Sequence, residues 1–126
     1  MPHTASRPRF LNLLLIRMPV GALTSIGHRL SGVLLFLCIP LAAFLLDLSL
    51  QGPDGFVQAA QLLVSPMLRL IEMLLAWSLA HHALAGLRFL LIDVEVGVDK
   101  PTARASALAV NLAAPLLAIL FLWSIW

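Results

Sequence analysis

The sequence predicts an all-α integral membrane protein with three transmembrane helices and a short N-terminal interfacial segment. Composition is the first reason. Of the 126 residues, 61% are hydrophobic and 11% charged, and the mean hydropathy is +1.01. A soluble domain carries about a quarter charged residues and under half apolar ones. The second reason is the distribution of that apolar content. A hydrocarbon core of roughly 30 Å needs about 20 mainly apolar residues in a helix, and three runs meet that length. The chain has a lone cysteine, Cys38, inside an apolar run. One thiol excludes an internal disulfide, a Cys-only zinc site and an iron-sulfur cluster held by this chain alone, and it packs as a small hydrophobe.

The opening MPHTASRPRF has positive charges but no apolar stretch behind them and no small-residue cleavage site. It does not read as a cleaved secretory signal, so the first span is expected to insert as its own signal. Phe10 to Val20, FLNLLLIRMPV, is apolar but short and flanked by Arg9, Arg17 and Pro19. It is expected to lie along the cytoplasmic interface. The first span is expected from Leu30 to Leu50, kinked at Pro40, with Asp47 reaching the headgroups from its last turn. QGPDG then breaks the chain. A second span lies within Leu62 to Ile92, most simply 66–92, with an interfacial Pro66 end and a pairing of Arg69 with Glu72 one turn apart. Asp93 to Arg104 is a polar connection. The third span, Ala105 to Trp126, contains no charge and carries Trp123 and Trp126 as an aromatic belt at its far end. Residues 1–126 are read as a single membrane-anchor unit without repeats.

Basic residues set the orientation. Arg7, Arg9, Arg17 and Arg29 precede or open the first span, whereas the loop after it has no Lys or Arg. The positive-inside rule then places the N-terminus in the cytoplasm, Arg88, Lys100 and Arg104 on the same side, and the C-terminus outside. Arg69 alone opposes this. The net charge of +2 bears on topology and not on nucleic acid.

Ionisable side chains at membrane depth are costly and therefore candidates for function. His81 and His82 are adjacent, so at 100° per residue they point to different faces. Ser78 and Gly86 lie four residues either side of His82, a small-residue stripe that admits a neighbouring helix or a flat cofactor. His82 lies eleven residues before Asp93, about 16 Å along the axis, near mid-membrane. Two readings are open: an imidazole hydrogen-bonded to a neighbouring helix, or one ligand to a haem iron. His81 shares its face with Ala85 and Arg88 and reads as a polar contact. In SIGHRLSG, Ser25 to Gly32, the pair Ser25 and Arg29 shares a helical face. Arg29 suits a carboxylate or propionate and Ser25 a carbonyl; alternatively Arg29 and His28 anchor to headgroups and Ser25 caps the helix. No phosphate loop, paired mid-membrane carboxylates or Ser-His-Asp set is present.

Three segments in this order carry a resemblance: R-P-x-F-L-N-L-L-L-I-R-M-P from Arg7 to Pro19, S-I-x-H-R-x-S-G from Ser25 to Gly32, and H-x3-G-L-R-x4-D from His82 to Asp93. Together they resemble the cytochrome b membrane-anchor family of succinate dehydrogenase, with span three matching by hydropathy alone. The resemblance implies that His82 is an axial ligand of a b-type haem whose other axial histidine comes from a second small anchor subunit. It implies Ser25 and Arg29 at a ubiquinone site, and His28 and Arg29 at the haem propionates. Ser25 would hydrogen-bond a quinone oxygen, and Arg29 would stabilise negative charge on the quinone. Arg88 and Asp93 match family positions near the cytoplasmic surface. Many bacterial members carry a histidine directly after the motif arginine, where this chain has Phe89; the axial position is unaffected. The implied partners are that second anchor, an iron-sulfur subunit and a flavoprotein subunit, in the bacterial inner membrane. The chain would act only as a subunit of a succinate:quinone oxidoreductase, with no autonomous activity. The same architecture serves fumarate reductase anchors with reversed flux. A haem-free scaffold and a small transporter are further alternatives, the latter disfavoured because it would place an acid in mid-membrane and have four spans.

Overall fold

The computed structural model describes residues 17–125. It contains four helices: α1 Val20–Ser49, α2 Pro53–Leu63, α3 Pro66–Asp93 and α4 Lys100–Ile125. Helices α1, α3 and α4 are long and apolar enough to cross a membrane, with mean hydropathies of 2.3, 1.4 and 2.2 over their most apolar windows. The start of α1 packs beside the start of α4, through Thr24 and Ala107, and beside the second half of α3, through His28 and His82. Hence α1 and α4 run parallel with α3 antiparallel between them, an up-down-up bundle.

The first span departs from expectation. Helix α1 begins at Val20, not Leu30. Hydropathy cannot see this extension because the added turns are polar, but their hydroxyls are satisfied locally. Thr24 Oγ1 lies 3.1 Å from the Val20 carbonyl and the Ser31 hydroxyl donates to the His28 carbonyl at 2.9 Å, so neither competes with helix formation. Of the expected interfacial segment, residues 10–16 lie outside the described residues. Arg17, Met18 and Pro19 are not helical, and Val20 already belongs to the spanning helix. Pro40 sits inside α1 and Pro115 inside α4. In the last turn of α1, Asp47 accepts from Gln51 Nε2 at 3.0 Å.

Between the first two spans lies a helix, α2, where only a turn was expected. Its signals were present: Gly52 at φ 96° stops α1 from running on, Pro53 occupies the first helical turn and Asp54 follows. Asp54, Gln58 and Gln61 recur at helical spacing as one polar stripe, while Gly55 and Ala59 are buried. A Cβ on Gly55 would strike the Leu48 carbonyl of α1, so glycine there permits the close packing of α2 on α1.

Helix α3 matches the expected 66–92 span closely. Ser65 caps it by accepting the Leu68 N–H at 3.4 Å. Its other end is a Schellman motif: Val96 N–H donates to Leu91 O at 2.8 Å and Glu95 N–H to Ile92 O at 2.9 Å. The left-handed position of that motif is held by Glu95, at φ 62°. Helix α4 starts at Lys100, ahead of the expected Ala105. Asp99 Oδ2 accepts the Thr102 backbone N–H at 3.0 Å and its hydroxyl at 2.8 Å. Those two bonds, the backbone one first, hold the Asp99 carboxyl below its ordinary pKa of 3.8.

The buried apolar residues are mostly small: Ala59, Ala85, Ala107, Val110, Ala114, Ala118 and Leu122. Five of these fall on one face of α4. Small residues bring helix backbones close in lipid, where apolar burial gives no net drive. Large apolar side chains instead point outward, Phe36 at 70% and Trp123 at 86% exposure, as lipid or partner contact requires.

Candidate functional site: a histidine seam between three helices

The half of the bundle at the start of α1 gathers most of the polar residues singled out in the sequence. On α3, Ser78, His81, Ala85 and Arg88 share the buried face. On α1, Thr24 and Ser31 are fully buried, with His28 beside them and Ser25 and Arg29 turned progressively away.

His82 lies at the α1–α3 boundary. Its Nδ1 is 3.1 Å from the His28 carbonyl oxygen and 3.4 Å from Ser31 Oγ. A carbonyl can only accept, so Nδ1 carries the proton and Nε2 is left with a lone pair. Nε2 has no hydrogen bond among the described residues, and it is not among the enclosed polar atoms. The ring rests in a notch at Gly32, where a Cβ would come within 2.9 Å of His82 Cε1. The His28 ring stacks on it with centroids 4.1 Å apart and planes 10° from parallel, and meets Phe89 edge-on at 5.3 Å. Phe89 therefore supplies an apolar wall to His28 at the position where a second polar ring was noted as absent.

His81 is placed oppositely. It is 3% exposed, its Nε2 is 3.3 Å from Asn111 Oδ1 of α4, and its Nδ1 is enclosed with no hydrogen-bond partner among the described residues. Both nitrogens face protein. The expected grouping of His81 with Ala85 and Arg88 on one face holds. The expected stripe of Ser78, His82 and Gly86 divides. Ser78 turns to the buried face with a hydroxyl that has no partner among the described residues, while Gly86 lies under His28, whose Nε2 would stand 3.4 Å from a Cβ there. The close approach that glycine permits is made by a ring of α1.

Ser25 is half-buried and Arg29 exposed, and neither has a hydrogen-bond partner among the described residues. They are thus available on the outer flank of α1, one turn apart. Arg88 is committed internally. Its Nε donates to Ser106 Oγ at 3.0 Å and its Nη2 to the Ala103 carbonyl at 2.9 Å, which ties the end of α3 to the start of α4. Asp93, at the last position of α3, is exposed.

Sequence reasoning missed Asn111. Its amide stands between His81 and Thr24 Oγ1, 3.2 Å away, and so joins all three spanning helices. A signal existed, since a lone amide in an otherwise apolar span needs a partner in lipid.

These features define a three-span helical membrane subunit whose polar chemistry is concentrated on one histidine-rich seam. The family of succinate dehydrogenase/fumarate reductase transmembrane subunits matches residues 3–122, and the chain belongs to that family. It is 34% identical over 123 residues to the succinate dehydrogenase cytochrome b556 subunit of Coxiella burnetii (strain RSA 493 / Nine Mile phase I), covering 94% of this chain and 98% of that protein. It is 32% identical over 120 residues to the protein of the same description from Paracoccus denitrificans, covering 95% of this chain and 92% of the relative.

Proposed function

We propose that this chain is the cytochrome b membrane anchor of a bacterial succinate dehydrogenase. In this reading it shares a b-type haem with a second small anchor, lines the ubiquinone site, and docks the iron-sulfur and flavoprotein subunits on the cytoplasmic side. One observation carries the haem assignment. His82 donates from Nδ1 to a backbone carbonyl and keeps Nε2 unprotonated and open, the arrangement that orients a metal-binding imidazole and raises its basicity. The donor set therefore fits the group, and a haem iron takes one imidazole from a chain, so no cluster of ligands is needed here.

When bound, the haem would accept and release single electrons. The residues of this chain would bind and orient. His82 holds the iron through Nε2. Gly32 lets the His82 ring lie close to α1, and the stacked His28 ring limits its tilt. Arg29 pairs with a propionate from the exposed flank of α1, with His28 near it. On the same flank the Ser25 hydroxyl donates to a quinone carbonyl, and the Arg29 charge stabilises negative charge on that oxygen as it is reduced. The N-terminus lies in the cytoplasm, as the basic residues before α1 require.

The test uses the intact assembly, extracted gently in detergent. A flavoprotein, an iron-sulfur protein and a second small anchor should co-purify, and the complex should show a bis-histidine b-type spectrum. His82→Leu should abolish that spectrum. An undiminished signal in the variant would overturn the assignment.

A further inference from the structure

Two adjacent imidazoles on one helix are geometrically linked: whatever seats the first sets the direction of the second. His81 is the firmly seated one. Its Nε2–H donates to Asn111 Oδ1 at 3.3 Å, its ring fills a notch where a Cβ on Gly27 would come within 2.7 Å of Cε1, and Trp77 packs against it at 5.3 Å between centroids. Asn111 is itself placed by α1, through Thr24 Oγ1 at 3.2 Å. His82 is only half-buried; its hydrogen-bonding side is one carbonyl and a longer contact to Ser31, and its ring lies between Gly32 and the stacked His28 ring, both on α1, so its seat depends on how α3 is turned against α1.

We propose that Asn111 is a positioning residue for His82, acting through His81 to fix the rotation of α3 about its own axis. The inference rests on the haem reading above and adds to it a residue on the third span. The lever is sizeable. Side chains reach roughly 5–6 Å from a helix axis, so turning α3 by about 20° would carry the His82 ring about 2 Å. That displacement exceeds what the 3.1 Å bond to the His28 carbonyl tolerates before it breaks. The Asn111–His81 bond leaves the helix about 100° around its axis from His82, off the line of His82's outlet, and resists that turn.

The experiment compares the complex carrying Asn111→Leu, His81→Leu or both. Leucine keeps the branching of asparagine at Cγ and removes the acceptor. Low-temperature EPR of the oxidised haem is the readout, because the largest g value of a bis-imidazole haem reports the angle between the two ring planes. Each single variant should retain haem and shift that g value in the same direction, and the double variant should shift it no further. An unaltered g value in Asn111→Leu, or shifts that add in the double variant, would overturn the proposal. If Asn111→Leu does not assemble, Asn111→Ser, which shortens the side chain and keeps it polar, should assemble with a shifted g value. An unaltered value there, or failure of both to assemble, would assign Asn111 to folding alone and overturn the positioning role. A complex without haem in its unaltered form would instead overturn the haem reading, and this inference with it.

Discussion

Replacing Gly32 by alanine tests the seat of the His82 ring directly. The added Cβ would stand 2.9 Å from His82 Cε1 and 3.3 Å from Nδ1, about 0.5 Å inside ordinary van der Waals contact at the nearer atom. The ring lies between this notch and the stacked His28, so it cannot retreat without moving its neighbour. Overpacking of this kind costs about 1–3 kcal/mol, and a ring pushed off the His28 carbonyl loses a hydrogen bond worth about 1 kcal/mol net. Alanine returns up to about 1 kcal/mol through helix propensity. A net penalty of about 2 kcal/mol on the haem-ready conformer corresponds to roughly thirtyfold weaker haem binding. Haem transfer from the purified complex to an excess of apomyoglobin measures that change. Gly21→Ala, where nothing lies within 4 Å of the new Cβ, is the matched control. Equal haem retention in the two variants would refute the close-approach argument.

Four further outcomes are expected. Arg29→Ala should lower quinone reduction while dye reduction by the peripheral subunits is maintained; equal loss in both assays would remove Arg29 from the quinone site. Arg88→Leu deletes charge-assisted bonds to Ser106 and Ala103 and should destabilise the α3–α4 pair by about 2 kcal/mol, read as a lower denaturation midpoint of the complex in detergent. Glu95→Gly removes a side chain from the left-handed position at φ 62° and should stabilise the α3–α4 connection by about 1 kcal/mol, measurable as slower amide exchange at Val96. Asp99 has a depressed pKa in the folded chain, so its contribution to the start of α4 is complete above its ordinary 3.8 and declines as pH falls through the lower folded value. Protection of the Thr102 amide, its exchange rate taken relative to the intrinsic rate at the same pH, should therefore fall only as pH drops below the ordinary 3.8, and Asp99→Asn should remove that pH dependence of the protection.

The three spans were legible because lipid permits few solutions: a long apolar run becomes a helix. The boundaries were less so. Polar residues such as Thr24 and His28 depress hydropathy at the start of α1, yet they pack inward against α3 and α4, and no single-sequence measure of apolarity distinguishes inward polarity from surface polarity. Helix α2 was hidden for the opposite reason, because Gly52, Pro53 and Gly55 are turn residues that here begin and pack a helix. Among the candidate site residues, His82, His28, Ser25 and Arg29 were singled out by depth and motif, and the separation of His81 from His82 followed from 100° per residue. Asn111 escaped notice because its importance is relational. It lies 30 residues from His81 and 87 from Thr24, and only the folded bundle brings them together.

Thr24 and His81 are synthesised before Asn111, the group that joins them. A nascent chain whose first two long helices have already partitioned into lipid therefore carries the His81 imidazole without its amide partner until the last helix leaves the translocon, while the Thr24 hydroxyl is served by the Val20 carbonyl. Docking of that helix completes the polar junction: a chain truncated ahead of residue 111 leaves the His81 ring without its amide acceptor in the bilayer.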